Sequence, residues 1–440
     1  MRKRLLPLIT SGLFRGFGAI SQFLLAWWVS TMLAKDASGS FFLYLACYTV
    51  LSPVILLGTQ YFGMRQISEF DEDDTDSISR HAYHAARLSL YAVSATFLVL
   101  LALALVCQQF CSEVEWVEAW SGMMVPLAFA SAIGAVSHAV ASHLHGLKRF
   151  GQSIFYSHIC IPSVTIVTMA FLQPTQSQEV IYCHLFACIV SACIAIGTWI
   201  FYFPLPSKDS ARLSYRAAWA TSRDLWLIYC CSLSITWFPV IVGGAIVGTE
   251  DVAELNIGQR AANLINFVLI IITFAFAPRL RKAWAKSDLM GLRQDVSRCA
   301  AMLISVGSIV YLTIFIFAEQ VLGFFGAEYV TGATILRIFA TAQYFNVVTG
   351  SVNEILLMWG FEKTLRSIFF ASAAACFLSA TVLGMAFGAV GIACGAAIAI
   401  SFHNIAAVWA VRRHLGFWAF DPRPPVAEGV SHPPRLTEQG

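Results

Sequence analysis

Four charged side chains interrupt long apolar stretches of this 440-residue sequence: Arg15, Arg260, Arg337 and Glu354. A charge at mid-bilayer costs about 2.5–3.5 kcal/mol even on insertion scales, so such groups turn toward a bundle interior or a wet cavity. Arginine stays charged at any physiological pH and grips phosphate through paired N–H donors, which suits recognition of an anion without control by protonation. With three cations against one acid, the interior should favour an anion. Glu354 has three open roles: partner of an arginine, acceptor of a proton in ion coupling, or packing anchor. A fifth charge, Arg87, stands near enough to a helix end to reach the interface and is set aside.

Amides and small residues line up with these charges. At 3.6 residues per turn, Ser11, Arg15, Gly18 and Gln22 fall within about 60° of one helix face. Gln259, Arg260, Asn263 and Asn266 span about 120° of another, and Gln343, Asn346, Gly350, Asn353 and Glu354 about 100° of a third. Such stripes serve either as hydrogen bonds between helices or as the lining of a hydrated cavity, and for the asparagines both readings stay open. Arg15 and Arg260 come from opposite halves of the chain, which favours the cavity. The candidate substrate-binding set is therefore Arg15, Arg260, Arg337, Gln22, Gln259, Asn263, Asn346 and Asn353, with Glu354 as the candidate for ion coupling. Arg337 lies near the outer end of its segment and could equally reach the interface. Tyr44 and Tyr48, one turn apart, could stack a sugar or simply pack.

The elements that position these residues follow from composition. With 58% hydrophobic and 12% charged residues, the chain has more apolar surface than a water-soluble core can hide. A bilayer core of about 30 Å takes roughly 20 apolar residues per helix, and the continuous runs here lack the alternation of barrel strands. Twelve helical spans fit, at roughly 6–33, 39–63, 82–108, 119–144, 153–173, 179–203, 225–248, 253–278, 298–318, 330–358, 365–387 and 390–411. The fold class expected is an all-α polytopic membrane protein, with two pseudo-symmetric six-helix bundles around a central cavity. The bundles would occupy 1–203 and 225–411, joined by a polar linker at 204–224 and followed by a disordered tail at 412–440. Nearly all Lys and Arg outside the spans fall on one side, with Lys35 alone on the other, so both termini are expected in the cytoplasm.

Other chemistries find little support. There is no phosphate-binding Gly-Lys-Ser/Thr loop, nucleophile elbow or Cys-x-x-Cys pair, and the outer loops are too short to carry a catalytic centre. His81/His84 and His143/His145 sit at helix ends near the inner interface. Most of the twelve cysteines lie inside apolar runs, where Cys is a packing residue. No enzyme activity, cofactor, metal or nucleic-acid partner is expected, and the N-terminal run is too long to read as a cleaved signal.

The two halves look duplicated. Gly146-Leu-Lys-Arg-Phe-Gly-Gln-Ser-Ile-Phe-Tyr156 returns 214 positions later as Gly360-Phe-Glu-Lys-Thr-Leu-Arg-Ser-Ile-Phe-Phe370, and Lys35-Asp36 has a counterpart in Glu250-Asp251. Further landmarks are Lys35-Asp36-Ala37-Ser38-Gly39, Asn256-Ile-Gly-Gln-Arg260 with Ala277-Pro278 closing the same span, Leu322-Gly-Phe-Phe-Gly326, and Gly388-Ala-Val-Gly-Ile-Ala-Cys-Gly395.

In their order and spacing these motifs resemble the Wzx-type O-antigen and exopolysaccharide flippases of the multidrug/oligosaccharidyl-lipid/polysaccharide exporter superfamily, over nearly the whole chain. The resemblance implies a twelve-helix transporter of the cell inner membrane that serves polysaccharide or lipopolysaccharide biosynthesis. It would carry an undecaprenyl-pyrophosphate-linked oligosaccharide from the inner to the outer leaflet by alternating access. Its partners would be that substrate, membrane lipids, and glycan polymerase and export proteins. The family's idea of lumen cations carries over onto Arg15 and Arg260, and more weakly onto Arg337. Glu254 departs from the pattern, standing where a small residue would match Gly39. One alternative is a cation-coupled multidrug exporter of the same superfamily, although the first and seventh spans lack the Asp or Glu that would hold a cationic drug. Another is a scaffold of glycan assembly that transports nothing.

Overall fold

The computed structural model describes residues 2–71, 73–110, 115–206, 215–285 and 288–419. Among them the regular structure is helical, with no strand. The first half runs α1 (Arg2–Met32), α2 (Lys35–Val54), α3 (Thr59–Ser68), α4 (Thr75–Phe110), α5 (Glu115–Gly146), α6 (Phe150–Ile154), α7 (Cys160–Leu172) and α8 (Ser177–Tyr202). The second runs α9 (Tyr215–Ile246), α10 (Thr249–Ala262), α11 (Leu264–Ala285), α12 (Leu289–Ile316), α13 (Ala318–Gly323), α14 (Ala333–Thr349), α15 (Val352–Met358) and α16 (Glu362–Leu415). A wide turn at Phe155–Ile159 joins α6 to α7, and a tight one at Ala327–Gly332 precedes α14.

Nine of the described helices are long and apolar enough to cross a membrane. The chain is a multi-pass membrane protein, and the expected twelve spans all fall on helices. Single spans of the sequence reading are often two helices. Span two breaks after α2, where Pro53 removes a backbone donor and Leu57 and Gly58 take positive φ. Conversely α16 merges spans eleven and twelve, which turn back on each other at Gly388 (φ 61°). The two arms of α16 pack closely enough that a Cβ on Gly391 would overlap the Leu383 carbonyl, as the small-residue spacing suggests. Part of the expected linker is helical. Residues 215–224 already form the start of α9, anchored where the Arg366 guanidinium meets Asp224 at 2.5 Å. Residues 420–440 of the tail lie outside the described residues.

The duplicated pair lands on equivalent turns, in a shifted register. At the end of α5, Lys148 N–H bonds His145 O and Arg149 N–H bonds Leu144 O. At the end of α15, Gly360 N–H bonds Leu357 O and Phe361 N–H bonds Leu356 O. Both are Schellman caps, in which the residue after the cap is left-handed. That residue is Lys148 (φ 60°) in one copy and Gly360 (φ 79°) in the other. The backbone therefore places Lys148, not Gly146, opposite Gly360.

The end carrying the α1–α2 and α9–α10 turns is termed outer. There the halves share one apolar core, in which Val29, Phe41 and Tyr44 of the first half pool with Val252, Leu255, Leu336 and Ile392 of the second. Gly39 of α2 lies so close to α10 that a Cβ would overlap the Thr249 carbonyl. Toward the inner end the core divides. Leu292, Leu356, Leu365 and Val411 form a cluster within the second half, while Val140, Leu144 and Tyr156 form another within the first. At this end the halves meet through α3 and α9, where Tyr61 and Tyr229 have ring centroids 6.0 Å apart and the Gly58 backbone faces Trp226.

Candidate functional site

Two broken spans meet in the second half. Between α10 and α11 the ladder tightens for one turn, because the Asn266 N–H bonds the Asn263 carbonyl only three residues back (3.0 Å). Between α14 and α15 the chain breaks at Gly350 (φ 78°). Helix breaks of this kind are tolerated at membrane depth where they are buried in protein or line a cavity. Both breaks adjoin a cleft of about 210 Å³ lined by α9, α10, α11, α14, α15 and α16.

The lining is built from amides. Gln343 Nε2 donates to Asn263 Oδ1 at 3.0 Å, Asn266 Nδ2 donates to Gln343 Oε1 at 2.7 Å, and Asn346 Nδ2 donates to Asn266 Oδ1 at 2.9 Å. This chain ties α10 and α11 to α14 and fixes the side-chain rotamers around the cleft. On the far wall His403 Nε2 lies 3.2 Å from Asn353 Oδ1, and its ring leans on Phe369 with centroids 4.3 Å apart. Thr349 Oγ1 donates to Asn404 Oδ1 at 2.9 Å. Gln259, 4% exposed, gives its Nε2 to the Thr236 carbonyl, while its buried Oε1 has no partner. Among the described residues, no carboxylate, Lys or Arg lines the cleft. Groups that both donate and accept, beside an aromatic face, match the hydroxyls and C–H face of a polyol.

Of the residues singled out in the sequence, the cleft brings together Gln259, Asn263, Asn346 and Asn353. Arg260 stands at the junction between the halves. Its Nε donates to Asn256 Oδ1 at 2.6 Å, its Nη1 approaches the Gln22 carbonyl of α1 at 3.4 Å, and its guanidinium lies over Trp237 at 5.4 Å. Gln22 thus meets it through the backbone. The side chain of Arg15 lies outside the described residues. Arg337 is not brought to this group: its Nε donates to the Phe315 carbonyl, capping α12, and its Nη2 pairs with Glu319 at 3.3 Å. Glu354 is exposed on α15, beside Asn353.

Sequence reasoning missed Ser232, Thr236, Phe369, His403 and Asn404 as lining residues. The pair His403-Asn404, polar and inside an apolar run, carried the same signal as the asparagines that were noticed. In the first half, Tyr44 and Tyr48 close around His184 instead of lining an opening. Tyr44 Oη lies 3.1 Å from His184 Nδ1, and the Tyr48 and His184 rings are 4.5 Å apart.

No family model and no curated protein matches the chain. Solved structures do. A multidrug resistance MATE family transporter of the MOP superfamily, in its inward-facing conformation, superposes with a TM-score of 0.70 at 15% identity, over 91% of this chain and 94% of that one. An outward-facing conformation of a transporter so described gives 0.56 at 14% identity, over 93% and 95%. A MOP superfamily transporter from Pyrococcus furiosus, described as having a binding pocket of reverse polarity that suggests a different function, gives 0.66 at 16% identity, over 93% and 95%. The chain has the fold of the MATE transporters of the MOP superfamily.

Proposed function

We propose that this protein is an alternating-access exporter of a hydroxyl-rich substrate without positive charge, with a lipid-linked oligosaccharide on undecaprenyl pyrophosphate as the leading candidate. The observation that carries this reading is the cleft, where amide, hydroxyl and imidazole groups surround an opening that no carboxylate among the described residues lines. A cationic drug would find nothing there to balance its charge. Pockets for drug-sized ligands run to about 300–1,000 Å³. The cleft, at about 210 Å³, suits one ring of a larger substrate, with Arg260 at the junction as a cation for the pyrophosphate. Both termini would then face the cytoplasm of a cell inner membrane, with glycan polymerase and export proteins as partners.

A second reading is a small-molecule exporter of the multidrug kind. The fold likeness favours it, since the neighbours of known structure include multidrug resistance transporters. Reconstitution separates the two. Proteoliposomes holding this protein alone should move a fluorescent undecaprenyl-pyrophosphate glycan between leaflets, and cells expressing it should not gain efflux of ethidium. Ethidium efflux without glycan movement would support the second reading and overturn the first.

A further inference from the structure

At the outer end a single cluster of charge spans the two halves. Lys35, the one basic residue of the expected outer turns, opens α2. Its Nζ donates to Glu254 Oε1 of α10 at 2.6 Å and reaches Thr331 Oγ1 at 3.4 Å. The Thr331 hydroxyl donates to the same Glu254 oxygen at 2.5 Å. Three elements thus converge on one carboxylate, and the two charged side chains are only 15% and 10% exposed. Glu254 is also the residue that breaks the internal symmetry, since its counterpart in the first half is Gly39.

The surroundings make this pair dependent on conformation. It sits where α2 and α10 are in closest contact, with Gly39 against the Thr249 backbone and the shared apolar core directly beneath. On the same rim Trp27 Nε1 donates to the Phe324 carbonyl at 3.0 Å and Trp120 Nε1 to the Gly244 carbonyl at 3.1 Å, both across the junction. With the outer ends together, each charge has lost most of its water and depends on the other, so removing one partner leaves a desolvated charge unmatched. With the ends apart, both side chains would be hydrated, and an exposed pair is worth little. The pair therefore stabilises one arrangement of the halves over the other.

We infer that Lys35, Glu254 and Thr331 form a charge latch that selects the outer-closed conformation and must open in each transport cycle. The inference rests on the alternating-access part of the proposed function and on no particular substrate, so it is tested by a readout that involves none. Hydrogen exchange followed by mass spectrometry on the full chain in lipid nanodiscs should show faster exchange in Lys35→Ala and Glu254→Gln. About a tenfold rise is expected in segments 38–48 and 252–262, equivalent to ~1.4 kcal/mol. The α15–α16 turn at the inner end should be unchanged, and the exchanged pair Lys35→Glu with Glu254→Lys should restore protection. Three results would overturn the latch: single variants that exchange like the native protein, faster exchange spread evenly over every helix, or an exchanged pair no better protected than the single variants. Failure of glycan transport in the native protein would leave this outcome unaffected.

Discussion

Arg260 and Arg337 have the same side chain, and their surroundings give them different work. Arg260 bridges α1, α9 and α10 at the junction of the halves, which on the proposed function puts it on the substrate's path. Arg337 caps α12 and pairs with Glu319 at the periphery. Arg260→Ala should lower export by about tenfold or more, since a charged hydrogen-bonding group at such a place is worth ~1.5–3 kcal/mol. Arg337→Ala should leave export within about twofold, its exposed pair being worth ~0–1 kcal/mol. Initial rates in proteoliposomes at equal reconstitution check both, and a larger loss for Arg337 would return it to the substrate path. Gln343 holds Asn263 and Asn266 together from the opposite helix. Gln343→Leu leaves those amides short of partners, at about 1–3 kcal/mol for each unsatisfied group, and should lower the melting temperature in detergent as well as transport. Four of the candidate residues were legible because an amide or charge stands out in an apolar run. The place of Arg337 stayed open in the sequence because spacing gives the face of a helix and not what packs against it.

At the scale of elements, the spans were legible from apolar length. The breaks were not. Asn263 and Gly350 lie inside continuous apolar runs, and only the packing of α11, α14 and α15 shows that the chain bends there to build a cleft. The duplicated turns show the same limit. The written similarity aligns Gly146 with Gly360, whereas the hydrogen bonds align Lys148 with Gly360, because backbone geometry tolerates a lysine where glycine is the cheaper choice. A left-handed residue other than glycine costs about 1–2 kcal/mol. Gly360→Ala should therefore destabilise the protein by about 1 kcal/mol. Lys148→Gly should be neutral or slightly stabilising, unless the lysine side chain contributes more than its backbone costs. Paired thermal melts would decide, and a destabilised Lys148→Gly would reveal such a contribution.

At the scale of the molecule, a large apolar core unites the outer ends, while at the inner end the halves share a small cluster in which Ala218 of α9 joins Phe62, Ala85 and Leu88, so the two ends should respond differently to mutation. The inner face has its own pair between halves, Arg65 with Glu362 at 3.4 Å, but both side chains are about a third exposed, at 33% and 36%. Arg65→Ala should change neither melting temperature nor outer-end exchange beyond experimental scatter, in contrast to Lys35→Ala. A comparable effect from both would mean that the ends are equally dry. The contact of Gly39 with Thr249 then takes on a mechanical meaning. From this contact the rest of α2, as far as Val54, reaches toward the inner end as a lever of about 23 Å, at ~1.5 Å per residue. A glycine hydrogen at the fulcrum sets how near the short arms can come, and so how wide the far ends stand. A single methyl group there would act as a shim, altering the gape of a mouth it never touches.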